Sequence, residues 1–537
     1  MKRIFSIAML IVLSTLGVRA QSTVFGGEVI SPANMSHMEA AKFSQTEHTF
    51  MSSRVAAMGG AFTSLGADLS SMAINPAGLG MYRSSEMSIS LSFDHTNATS
   101  NESITNNTEN SLSFNQIGAA LNLYQSSGPL VSFTLGFGYT KLADLNYHNH
   151  ARWGMGDVTI GEFFAEQMYG FDPTVLNASA DPFRNNNIYP DEWGGVLAYQ
   201  TYFIDPNMDG SGKFLDNYLV TGVPLANKID TNFIVTSEGS VGEYDFSAGF
   251  NISNFLYLGA TLGIQDVQQF VRYDLNESYW SASGNPNEMY HLSYSPMVST
   301  YGSGVNFKIG AILRPISALR LGVAYHTGTA MSLTRDYYTS MTTTFIDRTS
   351  YEAESLVNSY TYNYSSPSKL LLGASLAILD KAIISVDYDK VWYDDMRLHT
   401  DGLEEVFAQD VKTDLGTSDN LRLGVEVRPI QNVYLRGGYA YYGSPLNTET
   451  EKYADDGNFF FGSFKTHTSN FSFGGGLRFG DSSVDLVWTI SDAHFTNSVM
   501  YYYSYIDESN DILVSGPTLT NTKHRSHNVA LTYSLRF

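Results

Sequence analysis

Cysteine is absent from all 537 residues. That excludes a disulfide framework, a thiolate nucleophile and a Cys-ligated metal. It also suits passage through an oxidising compartment, where stray thiols cross-link. Charge is scarce, at 16% of residues, where a soluble domain carries about a quarter. Basic residues are the minority, 31 Lys and Arg against 53 Asp and Glu, for a formal net charge of −22. A chain so acidic is a poor ligand for nucleic acid. Long apolar runs are missing beyond Gln21, so no segment there is expected to span a bilayer as a helix of about 18 or more residues. No Ser/His/Asp constellation or carboxylate pair suggests catalysis. The run Gly474-Gly475-Gly476 and Gly480 has no following Lys-Ser/Thr and is no phosphate loop. The chain is therefore not expected to be an enzyme or to require a cofactor.

What the chain has is aromatic residues and alternation. There are 35 Tyr and 32 Phe. Met87, Ile89, Leu91 and Phe93 alternate with Ser88, Ser90, Ser92 and Asp94. Leu421, Leu423, Val425 and Val427 alternate with Arg422, Gly424, Glu426 and Arg428, and Val484, Leu486, Trp488 and Ile490 with Asp485, Val487, Thr489 and Ser491. The chain ends in the same way, from Val529 to Phe537. Period two puts one set on each face of a strand. In a soluble sandwich the apolar set would be core. In a transmembrane barrel it faces lipid, and the charged set faces the lumen.

About fourteen segments of this kind can be counted, with limits near 85–97, 111–124, 130–142, 239–252, 255–276, 289–314, 318–338, 355–379, 381–400, 414–429, 432–445, 464–480, 482–506 and 517–537. Every second connection is short: Ser126–Pro129, Ile252–Asn254, Arg314–Ser317, Leu379–Lys381, Pro429–Asn432 and Gly480–Ser483. Short inner turns alternating with long outer loops are the pattern of outer-membrane barrels. The fold class is read as all-β, a transmembrane antiparallel β-barrel with an N-terminal luminal hatch. Residues 1–20 read as a signal peptide, with Lys2-Arg3 before an apolar stretch from Ile4 to Leu16. Residues 21–84 form an extension and hatch, and 85–537 the barrel. The long connection 143–238 is an outer-loop insertion in which Gly161–Gly170 reads as a short helix over the mouth. The terminal Phe537 strand is the expected contact with the barrel-assembly machinery, and outer-membrane lipid is the expected surround.

Residues 53–80 are dominated by small side chains. Arg54 is followed by Met58-Gly59-Gly60-Ala61, then Asp68, then Asn75-Pro76-Ala77-Gly78-Leu79. Gly59-Gly60 permits a tight turn. This stretch resembles the hatch of the FadL-like family of outer-membrane hydrophobic-compound transporters. Ser366 to Gly373, Leu421 to Pro429 and Leu435 to Tyr439 resemble further segments of that family. The resemblance implies a fourteen-stranded barrel in a Gram-negative outer membrane, plugged by the hatch. It implies passive movement of hydrophobic small molecules such as long-chain fatty acids. Arg54, Gly59, Gly60, Asp68, Asn75, Pro76, Ala77 and Gly78 are the expected gating residues. The expected path runs from outer aromatics along an apolar luminal slot and past the hatch.

Arg320, Arg422, Glu426, Arg436, Arg478 and Asp485 fall on the non-apolar faces of their strands. They read as lumen lining that grips the hatch or a ligand carboxylate, or as wall-to-wall ion pairs that include Asp387. Asp205, Asn207, Asp209 and Asp216 have the spacing of a calcium loop, against the plainer reading of an Asp/Gly-rich surface loop. His148, His150 or His326 would supply an axial ligand if the cargo were haem. A secretion-associated scaffold or shuttle is the remaining alternative.

Overall fold

The computed structural model describes residues 33–100, 107–156, 159–221, 229–280, 288–379, 381–400, 402–448, 450, 463–497, 503–506, 512–515 and 520–537. The expected signal peptide lies outside them.

Fourteen antiparallel wall strands close into a barrel. They are β1 Glu86–Ser100, β2 Asn107–Gln125, β3 Leu130–Asp144, β4 Ile229–Ile252, β5 Leu256–Tyr279 and β6 Met289–Leu313. Then come β7 Leu319–His326 continued by Ala330–Phe345, β8 Asn358–Ser365 continued by Ser368–Ile378, and β9 Ala382–Trp392 continued by Arg397–Leu398. The ring is completed by β10 Thr417–Ile430, β11 Val433–Tyr442, β12 Ser463–Phe479, β13 Ser482–Asn497 and β14 Thr520–Arg536. Closure comes from β14 pairing with β1, Arg536 opposite Glu86 and Thr522 opposite Ser100. All the expected short turns lie at one end of the ring.

The lower wall is inside out relative to a soluble protein. Leu91, Phe93, Phe246, Phe307, Leu423, Phe473, Leu486 and Leu531 are exposed, whereas Ser90, Ser92, Asp245, Lys308, Arg422, Asp485 and Thr532 are buried. Water would penalise that outer surface by roughly 25 cal/mol per Å². A hydrocarbon surround removes the penalty, so the alternation specifies a membrane-spanning wall.

Higher on β4, β5 and β6 the sense reverses. Phe233, Val235, Tyr273, Leu275, Leu292 and Tyr294 point inward and are buried, while Asp230 and Arg152 pair outside (2.6 Å). These upper halves stand in water and enclose an ordinary apolar core. That core is filled by residues 159–221, which form a cap inside the mouth and include helices Ile160–Gln167 and Trp193–Gln200. Phe164 meets Tyr294 edge-on at 5.1 Å, and Trp193 lies 6.0 Å from Tyr337. Thr159 caps the first helix and donates to wall Glu277 (2.5 Å).

Several sequence limits are corrected. The insertion is shorter than 143–238, because Tyr147–Gly156 and Ile229–Ser237 are paired strands. Tyr147, Phe233 and Val235 face the cap, so the lipid-facing signature is missing. The segments 318–338, 355–379 and 381–400 are each interrupted, at 327–329, at Ser366-Pro367 and at 393–396. Pro367 has no N–H for a ladder, and β9 leaves the sheet there through a 3₁₀ turn, Tyr393–Asp395. Helix Glu404–Asp414 separates β9 from β10. The segment 482–506 is described as wall over Ser482–Asn497, and Tyr503–Ile506 pairs with Ile512–Ser515.

Candidate functional site: a plugged lumen

Three layers fill the barrel. The cap is uppermost. Beneath it lies the N-terminal extension, with helix His37–Lys42 carrying a capping box from Ser36 and Glu39. Met35, Met38 and Phe43 pack against Met331, Tyr364, Val391 and Phe407 in one apolar cluster. Arg335 holds Glu39 (3.1 Å), and His37 meets Asp414 of the 404–414 helix (2.9 Å). The hatch, residues 48–82, is lowest.

Local chemistry shapes the hatch. Ser52 caps helix Ser53–Ala57 by accepting from Val55 N (3.3 Å). Gly59 and Gly60 turn the chain with φ of +62° and +74°. Asp68 accepts from the Ser52 hydroxyl (2.9 Å) and from Ser70 N (3.0 Å), tying two turns together. Asn75 Oδ1 accepts from Ala77 N (3.1 Å), and its Nδ2 donates to Thr63 O (2.7 Å). Pro76 opens a 3₁₀ turn through Ala77 and Gly78.

The hatch is seated on a belt of wall glycines. A Cβ added to Gly438 would stand 2.1 Å from Gly59 N. One on Gly322 would stand 2.2 Å from Thr63 O, and one on Gly259 2.2 Å from Pro76 C. A Cβ on Gly424 would stand 2.5 Å from Met58 O and one on Gly249 2.6 Å from Gly80 N, while Gly310 and Gly474 face the Asn75 and Ala57 side chains at 1.9 and 2.5 Å. At Gly438, Gly322, Gly259, Gly424 and Gly249 backbone meets backbone, which a side chain would prevent. Wall groups add hydrogen bonds: Asp387 accepts from Thr63 N (2.7 Å), Thr532 from Ser53 N (2.7 Å), and Thr261 donates to Met72 O (3.1 Å).

Two charge clusters flank this seat. Glu426 accepts from Arg436 (2.6 Å) and faces Arg54 of the hatch (3.4 Å), while Arg436 also holds Asp485 (2.5 Å). Arg422 bridges Asp389 (2.6 Å) and Asp387 (3.6 Å) and packs on His48 (2.7 Å). Breaking one partner of such buried pairs costs about 3–5 kcal/mol. Arg422, Glu426, Arg436 and Asp485 thus join wall strand to wall strand, with Arg54 attached. Arg320 faces the lumen near the short-turn end and makes no ion pair among the described residues. Arg478 lies over the Tyr434 ring at 5.6 Å.

Between hatch and extension lies a cavity partly open to solvent. Glu243, Lys308, His326, Lys369, Asp389 and Lys465 line it. Lys308 is held by Glu243 and by Asp245 (3.0 Å), and Lys369 donates to Thr46 of the extension (2.7 Å). Against the expected apolar slot, the lining at this level is mixed: charged inward residues of the lower strands share it with Met51, Ala73, Leu142, Leu371 and Val391.

The residues with calcium spacing fall on a hairpin of the cap. Ile204–Met208 and Phe214–Val220 form a hairpin. Asp209 Oδ1 closes its turn by accepting from the Ser211 hydroxyl (2.6 Å), Lys213 N (2.9 Å) and Ser211 N (2.8 Å), which holds its pKa below the usual carboxylate value. Asp216 stands on the returning strand, and no group of three His or acidic side chains is gathered for a metal among the described residues. The histidines proposed for haem are engaged elsewhere. His148 bonds Thr236 (3.0 Å), His150 bonds Asn232 (3.3 Å), and His326 bonds Ile74 O of the hatch (2.8 Å). Sequence reasoning missed the extension layer and Lys369. The capping box at Ser36–Glu39 was a readable signal for the former.

No family model matches the sequence, and no curated protein does. Solved structures do. A Pseudomonas aeruginosa FadL homologue is similar at TM-score 0.52 and 12% identity, over 91% of this chain and 98% of that one. The Pseudomonas putida toluene transporter TodX gives 0.47 and 12%, over 92% and 99%. The Ralstonia pickettii toluene transporter TbuX gives 0.44 and 14%, over 91% and 98%. The first likeness establishes the fold: this chain is built as the FadL homologue is. A closed fourteen-stranded ring with an apolar outer band is an outer-membrane architecture.

Proposed function

We propose that this barrel is a passive channel for hydrophobic small molecules, with the Arg54–Gly80 segment as its inner gate. One observation carries the reading: a plug seated backbone-to-backbone in a FadL-type ring, beneath a cap that exposes Tyr169, Tyr189 and Tyr202. A water-filled pore has no use for three filling layers. A solute that passes by steps does, because each layer can yield in turn without opening the membrane to ions. The outer aromatics supply capture. A cavity lined by Lys308, Lys369 and Lys465 beside Met51, Leu142, Leu371 and Val391 then favours cargo with both a polar end and an apolar body, so long-chain fatty acids fit this lumen better than plain hydrocarbons.

The axial route past the hatch is preferred over lateral escape through the wall. The interruptions in β7, β8 and β9 border the cavity at Thr327, Ser366 and Tyr393. They stand about nine to twelve residues above the short turns, where a strand of 9–11 residues has already crossed the hydrocarbon. An opening there meets the outer interface.

The absence of cysteine gives a clean test. Ala57 of the hatch and Val487 of β13 pack in one small cluster. The pair Ala57→Cys and Val487→Cys, reconstituted in liposomes, should take up oleate when reduced and stop when oxidised. Uptake unchanged by oxidation sinks the gating reading. Mass spectrometry of what co-purifies names the cargo. The filled lumen equally suits a non-conducting scaffold, which predicts no saturable fatty-acid binding and a protein on the cap instead.

A further inference from the structure

In a chain with 31 basic to 53 acidic residues, one sector of the outer wall gathers cations and imidazoles. It spans β12, β13, β14 and β1. Period two places His467, His494, Lys523, Arg525, His527 and His95 on the face that below them carries Phe471, Trp488, Val529 and Phe93, all exposed. The residues are contiguous across the ladders. His95 is opposite His527, Arg525 opposite Asp492, and Lys523 opposite His494. The His467 and His494 rings stack at 4.3 Å, and Trp488 lies 5.9 Å from His527. Lys523 and Arg525 are 44% and 55% exposed.

Depth identifies what the sector meets. From the lower strand ends at Glu86, Phe479, Ser482 and Arg536, these residues stand about nine to thirteen positions up, and 9–11 positions fill the hydrocarbon. Four strands agree on that height. The side chains therefore lie at headgroup level of the outer leaflet, directly above an apolar band that includes Trp488.

We propose that this sector binds the phosphorylated headgroup of an outer-leaflet lipid. Its acyl chains run down over Val529, Leu531 and Phe93. Its phosphate meets the Arg525 fork, the Lys523 ammonium and imidazole N–H groups. Arg suits phosphate because its planar donors engage two oxygens at once. Asp492 fills that fork, at 2.7 and 2.9 Å, and also faces Lys523 at 3.5 Å. An exposed pair of this kind is weakly held, so a more highly charged phosphate displaces the carboxylate. The continuous apolar band below argues for a lipid over a soluble phosphate.

The test is native mass spectrometry of the full barrel in micelles, with diphosphorylated lipid A, monophosphorylated lipid A or phosphatidylcholine added. Heat-modifiable gel mobility reports folding. The wild type should retain diphosphorylated lipid A over the other two lipids. Two lost surface cations in the double variant K523Q/R525Q should reduce retention at least about tenfold. D492N, which frees the fork, should increase retention. K390Q, a cation on another sector, should leave it unchanged. Equal retention by the double variant, weaker retention by D492N, phosphatidylcholine held as well as lipid A, or ready displacement by millimolar inorganic phosphate would each overturn the proposal. If the double variant does not fold, D492N decides.

Discussion

Replacing Gly438 with Ala adds one methyl group at the hatch seat. The new Cβ would stand 2.1 Å from Gly59 N and 2.4 Å from Met58 C. Both are backbone, so neither can swing aside, and a normal contact requires the hatch to retreat by more than an ångström. Gly59 N donates to Ala56 O (3.0 Å) and Gly60 N to Val55 O (2.9 Å). Overpacking costs about 1–3 kcal/mol, and two weakened hydrogen bonds add about 0.5–1.5 kcal/mol each. The total, about 2–6 kcal/mol, should raise the open population of the hatch by roughly 30- to 20,000-fold, at 1.4 kcal/mol per decade. The adjacent residue provides the control. A Cβ on Gly437 would find its nearest neighbour, Ser472 O, at 4.0 Å, on the lipid side. Hydrogen exchange across residues 52–80 is the assay. Gly438→Ala should accelerate exchange there with the wall strands still protected, and Gly437→Ala should not. Equal protection in the two variants would refute the claim that the wall holds the hatch through backbone contact.

Glu426→Gln leaves Arg54 and Arg436 sharing one fewer carboxylate, and should lower the barrel's unfolding midpoint by the equivalent of about 3–5 kcal/mol; a denaturant titration read by gel mobility checks it. Asp209→Asn should loosen the 204–220 hairpin, yet neither it nor the wild type should gain thermal stability from calcium; a calcium-dependent rise in the wild type would restore the metal reading. Burial, with Asp191 beside it, lifts Glu192 of the cap from 4.5 to about 7, against the donation from Tyr189 N. Its folded-state value lies above its unfolded one, so the proton favours the folded cap. The cap should be firmest below about pH 4.5 and loosen as pH rises through 7, and Glu192→Gln should flatten that profile in hydrogen exchange.

The parts legible in the sequence are those whose chemistry is set by lipid. Leu421, Leu423 and Val425 alternate with Arg422, Gly424 and Glu426 because lipid and lumen alternate, and the lower wall follows with its short turns. The hatch was legible because small residues and Asn75-Pro76 have few other uses together. Above the membrane that logic lapses. Phe233 and Val235 point inward for the same reason as any soluble core, so Ile229–Ser237 carried no barrel signal. Pro367 marked a break, but the aligned interruptions in β7 and β9 arise from tertiary context that no local residue announces. Lys369 and Lys308 sit on inward positions like many others; the cavity between them depends on where the extension folds back.

The seam has a consequence for how the molecule is made. Ser85 and Phe537 exchange backbone hydrogen bonds at 3.0 Å, and the chain passes from the hatch into β1 only three residues earlier. Residues 48–82 are therefore tethered at the line where the cylinder zips shut. Once that line is closed, the glycine-lined seat is enclosed on every side, with cap and extension stacked over it. The tether couples filling to closure: it holds the N-terminal segment against the curling sheet at the line that β14 seals. A change that slows the filling would yield cylinders that close empty, folded by every measure of their wall and wrong inside.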